Sequence, residues 1–176
     1  MSFIGLVPET EAGHELKGLY EQIKSKMGFL PNYFQALGRV PELVSGQLAL
    51  TAALEKAPGL PQDAKERVGM VVSGINSSSY CIAIHMELLR KFGVERALSR
   101  KLATNYPNAP VGDKEQALYR FADKLTRHPG DISRADVDAL RAAGWDDNAI
   151  VESVVTIAYF NFITRVSTGL GLIADF

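Results

Sequence analysis

Glu66, Ser78, Cys81 and His85 are the residues whose types and spacing could do chemistry in this chain. Cys81 is the only cysteine among 176 residues, and His85, one of three histidines, follows four positions later in "NSSSYCIAIH". If a helix begins within the serines at 77–79, their hydroxyls can cap it and Cys81 falls in its first turn. Unpaired N–H groups and the positive end of the helix dipole favour an anion there, so the thiol is expected to have a lowered pKa. His85 then lies one turn on, on the same side, where an imidazole can take the thiol proton or hydrogen-bond the thiolate. Ser78, three residues before Cys81, can point its hydroxyl at the sulfur.

Projected at about 100° per residue, Cys81, Ile84, His85, Leu88 and Phe92 share one face, while Glu87, Arg90 and Lys91 lie on the others. The thiol and imidazole are therefore predicted to face inward, toward a pocket. On the preceding stretch "QDAKERVGMVVSGI", Glu66 shares its face with Gly69, Met70 and Ser73. A carboxylate among such residues is paired or has a raised pKa. Glu66, His85 and Cys81 can thus form an acid–base relay that ends at sulfur. The spacing leaves plainer readings open: Cys81 as a small core hydrophobe, His85 as a satisfied core residue, and Glu66 as solvated or paired with Lys65 or Arg67. His14 and His128 read as a surface residue and a helix-end residue.

Other chemistries lack their residues. One cysteine and three scattered histidines do not make a zinc site, no glycine loop cradles phosphate, and no G-x-S-x-G elbow is present. Neither a metal nor a cofactor is expected.

The elements that must position these residues read as helices throughout, because apolar spacing of three and four recurs and two-residue alternation is scarce. Leu16, Leu19, Tyr20, Ile23 and Met27 form one stripe, closed by Gly28. "PNYFQALG" predicts a short helical turn and "PELVSGQLALTAALEKA" a longer helix. Pro61 opens the next, to about Ile75, and the motif helix runs from about Ser79 to Phe92, stopping at Gly93. A helix over roughly 94–104 precedes the loop "NYPNAPVGD", and another carries Leu118, Phe121, Ala122 and Leu125 as far as "HPGD". Ser133 with Asp136 makes a capping-box start for "ADVDALRAAG". The last helix opens near Asp146 or Asp147 and stays apolar on most sides until about Leu172. "LRKFG" (89–93) and "LRAAG" (140–144) echo one another, either as two amphipathic helix ends or as a degenerate duplication.

The reading is a single all-α domain over residues 1–176, a helical bundle with its motif region at about 61–93. Hydrophobic residues make up 47%, charged ones 22%, and the net charge is −1, which is globular composition without a basic tract for nucleic acid. A lone cysteine excludes an internal disulfide and points to a reducing, cytoplasmic setting. "MSFIGLVPET" lacks the pattern of a secretory signal. The longest apolar stretch, 149–163, is interrupted by Glu152 and Asn161 and is shorter than the roughly 20 residues of a membrane span. It is expected to be a buried helix, and its apolar character favours a homo-oligomer.

The motif resembles the carboxymuconolactone decarboxylase and alkyl hydroperoxidase D-like superfamily, whose redox-active members carry E-x11-C-x2-C-x3-H. Glu66, Ser78, Cys81 and His85 reproduce that spacing, with Ser78 in the place of the first cysteine. "YC…H" at 80–85, "LRAAGW" and "AYFNFITRV" look like the peroxidase-related branch. The resemblance implies an all-helical fold assembled into dimers, trimers or hexamers. It also implies a peroxidase-related oxidoreductase of antioxidant defence, reducing hydrogen or organic peroxides through Cys81. Glu66 and His85 would then serve as relay, and Ser78 in proton transfer. Because Ser78 cannot close a disulfide, an external thiol must reduce the sulfenic acid. The alternatives are a cofactor-free decarboxylase or lyase using Glu66 and His85, with Arg67 or Arg165 for a carboxylated substrate, and an inactive helical oligomer.

Overall fold

The structure is a computed structural model and describes residues 2–175. Among these residues the chain forms helices and no strand. They are α1 (His14–Met27), α2 (Asn32–Leu37), α3 (Pro41–Lys56), α4 (Gln62–Ile75), α5 (Ser79–Lys91), α6 (Arg96–Asn105), α7 (Asp113–Arg127), α8 (Arg134–Ala142) and α9 (Asp147–Gly169), with three short 3-10 turns between them. The expected all-α class stands, and most boundaries fall where local signals put them. Pro41 and Pro61 open α3 and α4, Gly28 ends α1 with φ 85°, and the Ser133–Asp136 capping box is formed. The side chain of Asp146 accepts from the Ala149 amide at the start of α9.

Four helices end with one hydrogen-bond pattern. After α5 the Val94 amide donates to Leu89 O and the Gly93 amide to Arg90 O; after α8 the Trp145 amide donates to Leu140 O and the Gly144 amide to Arg141 O. In both, the leucine and the apolar residue beyond the glycine are buried, the packing that accompanies this left-handed ending. The echo between "LRKFG" and "LRAAG" is therefore the same helix-stop chemistry used twice. Gly171 ends α9 in the same way, but α4 ends on Ser77, at φ 53°, with the Ser78 amide donating to Ser73 O and the Ser77 amide to Gly74 O.

The buried residues form two clusters. One contains Val68, Met70, Leu89, Leu118, Ile157 and Phe160; the other joins Tyr20, Ile23, Tyr33 and Phe34 to Tyr80, Cys81 and Leu172. Helix α4 packs against α5, α6, α7 and α9, and its buried apolar residues belong to the first cluster. Helix α9, at 23 residues, is long and apolar enough to cross a membrane by length and composition, longer than the stretch expected from sequence. In this fold 44% of its apolar window is buried against the other helices, and it buries Glu152, Ser153, Thr156, Thr164 and Ser167 as well.

Glu152 explains how a carboxylate survives there. It lies 2.6 Å from Lys65 Nζ, both side chains 5% exposed, and accepts from the Gly59 and Leu60 amides. Lys65 also donates to Leu54 O and Ala57 O at the end of α3. The pair clips the α3–α4 connection to α9, and its remaining hydrogen bonds offset the cost of burying two charges.

Because a left-handed serine costs about 1–2 kcal/mol, only part of which glycine returns as unfolded-chain entropy, Ser77→Gly is expected to raise stability by about 0.5–1 kcal/mol. Equilibrium urea unfolding checks this, and an unchanged or lower midpoint contradicts it.

Candidate active site

Helix α5 opens at Ser79 with Ser78 as its N-cap, so Cys81 lies in the first turn as expected. The caps differ from expectation, because the Ser78 hydroxyl makes no capping hydrogen bond. Its Oγ is buried and has no hydrogen-bond partner. One turn on, His85 is buried, and its Nδ1 lies 2.7 Å from Glu66 Oε2. A carboxylate acceptor at Nδ1 holds the proton there and leaves Nε2 as the basic nitrogen. Two contacts fix the ring. Phe160 meets it edge-on at 4.8 Å, and it lies over Gly69, where an added Cβ would stand 2.5 Å from Cε1. Any side chain at position 69 would push the imidazole away from Glu66.

The thiol is 2% exposed and donates to Ser167 Oγ at 3.5 Å, while Ser167 donates in turn to Ile163 O. Among the described residues the structure thus joins Glu66 to His85, and the hydrogen bond of the sulfur goes to α9. The expectation of an acidified thiol is overturned. Burial pushes the Cys81 pKa up, against the hydroxyls of Ser78 and Ser167, which pull it down. The physical reason is the apolar wall contributed by α1 and α2: removing the sulfur from water disfavours the thiolate more than the helix start favours it.

Cys81, His85 and Glu66 line one cavity of about 540 Å³ between α1, α2, α3, α4, α5 and α9, within the usual range for a small-molecule site. Ile84, Leu88 and Phe92 line it too. The face read as inward is a cavity face, with Phe92 51% exposed, while Leu89 on another face enters the packed core. The wall opposite carries a closed polar chain. Tyr33 donates to Gln47 Oε1 at 2.7 Å, Gln47 Nε2 to the Tyr159 hydroxyl at 3.4 Å, and Thr51 Oγ1 lies 2.6 Å from that hydroxyl while donating to Gln47 O. Tyr80 accepts from the Tyr33 amide at 3.0 Å. Burial raises the pKa of Tyr33, Tyr80 and Tyr159, so these phenols stay neutral. Thr156 Oγ1 lines the cavity with no partner of its own.

Several of these residues were missed in the sequence. Ser167, Thr156, Tyr159 and Gln47 carry no local signal, since they reach the site only through the packing of α3 and α9. The arginines considered for a carboxylated substrate are elsewhere. Arg67 pairs with Asp63, Arg165 bonds Asn161 beside a separate notch, and the cations lining the cavity are Lys26, Lys65 and Lys91. Glu66 takes neither neighbour as partner, because Lys65 is committed to Glu152. His14 and His128 are exposed helix-end residues. Among the described residues no group of three His, Cys, Asp or Glu is placed to hold a metal.

Neither a protein-family model nor a curated protein sequence matches the chain. Solved structures do. The chain is similar to the alkylhydroperoxidase AhpD core of a peroxidase-related protein from Ralstonia eutropha, with a TM-score of 0.92 and 24% identity over 99% of this chain and 92% of that one. It is similar to a peroxidase-related protein from Silicibacter, at 0.86 and 26% over 96% and 90%. It also shares its fold with the debrominase Bmp8, solved as a cysteine-to-alanine variant with 2,3,4-tribromopyrrole, at 0.84 and 20% over 99% and 94%. The fold of the chain is that of the alkyl hydroperoxidase D-like structures.

Proposed function

We propose that the protein is a thiol-dependent peroxidase that reduces hydrogen or organic peroxides at Cys81. The observation that carries this reading is one cavity bordered by the sole thiol and by a hydrogen-bonded Glu66–His85 pair. Because burial keeps the thiol protonated at neutral pH, its proton must leave as sulfur attacks. The basic Nε2 of His85, with Glu66 behind Nδ1, is the group able to receive it. The same imidazolium can protonate the departing alkoxide. The sulfur ends as sulfenic acid, and an external thiol reduces it.

A second reading, thiol-dependent removal of halogen from a small ring, is favoured by the aromatic cavity wall and by the fold shared with a debrominase that has been solved with a bromopyrrole. Acid–base chemistry by Glu66 and His85 alone is distinguished by its indifference to sulfur.

Three outcomes follow. With peroxide and excess dithiothreitol, Cys81→Ser is expected to abolish peroxide consumption, and His85→Ala to lower it about a hundredfold or more. A Cys81→Ser variant that keeps activity on a carboxylated substrate, with His85→Ala inactive, would instead select the lyase. Bromide release from tribromopyrrole, without peroxide turnover, would select dehalogenation.

The raised thiol pKa sets a pH dependence. The thiolate fraction grows as pH rises through the folded-state value, which lies above that of the unfolded chain. Iodoacetamide labelling of native Cys81 between about pH 7 and pH 10 is therefore expected to reach half its plateau rate at higher pH than labelling in urea. A native midpoint at or below the unfolded one contradicts it.

The expected homo-oligomer has a face to use. Helix α3 buries only Val44 and Gln47, and Leu43, Leu50, Val151 and Phe162 are 42–64% exposed on α3 and α9. We propose that a second copy covers them. Light scattering after size exclusion is expected to give a multiple of 19.2 kDa, and a strict monomer would remove the proposal.

A further inference from the structure

The buried Ser78 hydroxyl, next to the Cys81 thiol, makes no well-formed hydrogen bond. Ser78 is 2% exposed, its amide is already given to Ser73 O, and its Oγ has no hydrogen-bond partner. The hydrogen of Cys81 goes to Ser167, so it offers nothing to Ser78. Buried hydroxyls without partners are rare because their lost hydration is not replaced. This one stands three residues before the sulfur at the start of α5, close enough to pull the thiol pKa down, and the sulfur borders the cavity. An oxygen added to the sulfur would give the Ser78 hydroxyl a stronger acceptor than the thiol.

Two more facts bear on what removes that oxygen. The chain has no second cysteine to condense with it. With Cys81 2% exposed, a thiol on the surface of another protein has no direct approach, whereas the cavity of about 540 Å³ admits a small molecule.

Resting on the peroxidatic reading of Cys81, we propose that the oxidised protein keeps Cys81 as a sulfenic acid whose oxygen accepts the Ser78 hydroxyl, and that its reductant is a low-molecular-weight thiol that enters the cavity. The steps balance. The peroxide O–O bond breaks as sulfur gains one oxygen and an alcohol, or water, leaves. A first small thiol then displaces that oxygen as water, forming a mixed disulfide with Cys81. A second attacks the sulfur of the bound thiol, releasing the small disulfide and restoring Cys81.

The test oxidises the full-length protein with one equivalent of hydrogen peroxide and follows sulfenic acid by dimedone trapping and intact mass. The adduct is expected to persist in wild type, to decay about tenfold faster in Ser78→Ala, and to keep its wild-type lifetime in Ser78→Thr, which retains the hydroxyl. Dithiothreitol and glutathione are expected to restore the thiol, glutathione through a visible mixed disulfide, at least tenfold faster than thioredoxin at the same thiol concentration. Equal lifetimes in wild type and Ser78→Ala, or thioredoxin reducing the adduct as fast as glutathione, would overturn the proposal while leaving the peroxidatic reading intact. A sulfur that peroxide leaves unmodified would remove both. If Ser78→Ala does not fold, the reductant comparison on wild type still decides.

Discussion

The imidazole of His85 occupies the space where any residue but glycine at position 69 would place its side chain, and the site depends on that close approach. With Gly69 beneath it and Phe160 against its edge, the ring has one orientation, and in it Nδ1 meets Glu66. A turn of helix separates Glu66 from Gly69 on α4, and another separates Cys81 from His85 on α5. Thus the pairing of two consecutive helices sets the carboxylate and imidazole together, and the thiol lies a turn away along the same cavity. Helix α4 can hold this register because it is packed on its other sides by α6, α7 and α9.

Around that pairing the fold deals with buried polarity in two ways. Some groups are held in networks: Lys65 and Glu152 pair with one another and bond the backbone around the α3–α4 connection. The Tyr33–Gln47–Tyr159–Thr51 chain likewise bonds to itself along the cavity wall. Others are left over: Ser73 Oγ, Ser78 Oγ, Tyr119 Oη and Thr156 Oγ1 have no hydrogen-bond partner among the described residues. Saturated networks rigidify, whereas unfilled ones favour an incoming acceptor or donor.

The position of the sulfur within the second buried cluster has an electrostatic consequence. Tyr33, Phe34 and Tyr80 share that cluster and the sulfur is 2% exposed, so charge separation at Cys81 must be compensated locally, by Ser167, Ser78 or a proton acceptor. The same apolar wall leaves the sulfur 2% exposed and shields it from bulky partners.

Helix boundaries were legible in the sequence because they are set locally. A proline opens α3 and α4, Gly28, Gly93 and Gly144 permit left-handed endings, and the Ser133–Asp136 box needs only four consecutive residues. The order and spacing of Glu66, Ser78, Cys81 and His85 were legible too, since two adjacent helices carry them all. What the chain alone did not disclose was everything arriving from a distance: Ser167 at the thiol, Glu152 at Lys65, the aromatic wall from α2 and α9. The direction of the thiol pKa belongs with these. A helix start acts through neighbours in sequence, but desolvation is summed over every atom that displaces water, and α1 and α2 place those atoms only once the chain has folded back on itself.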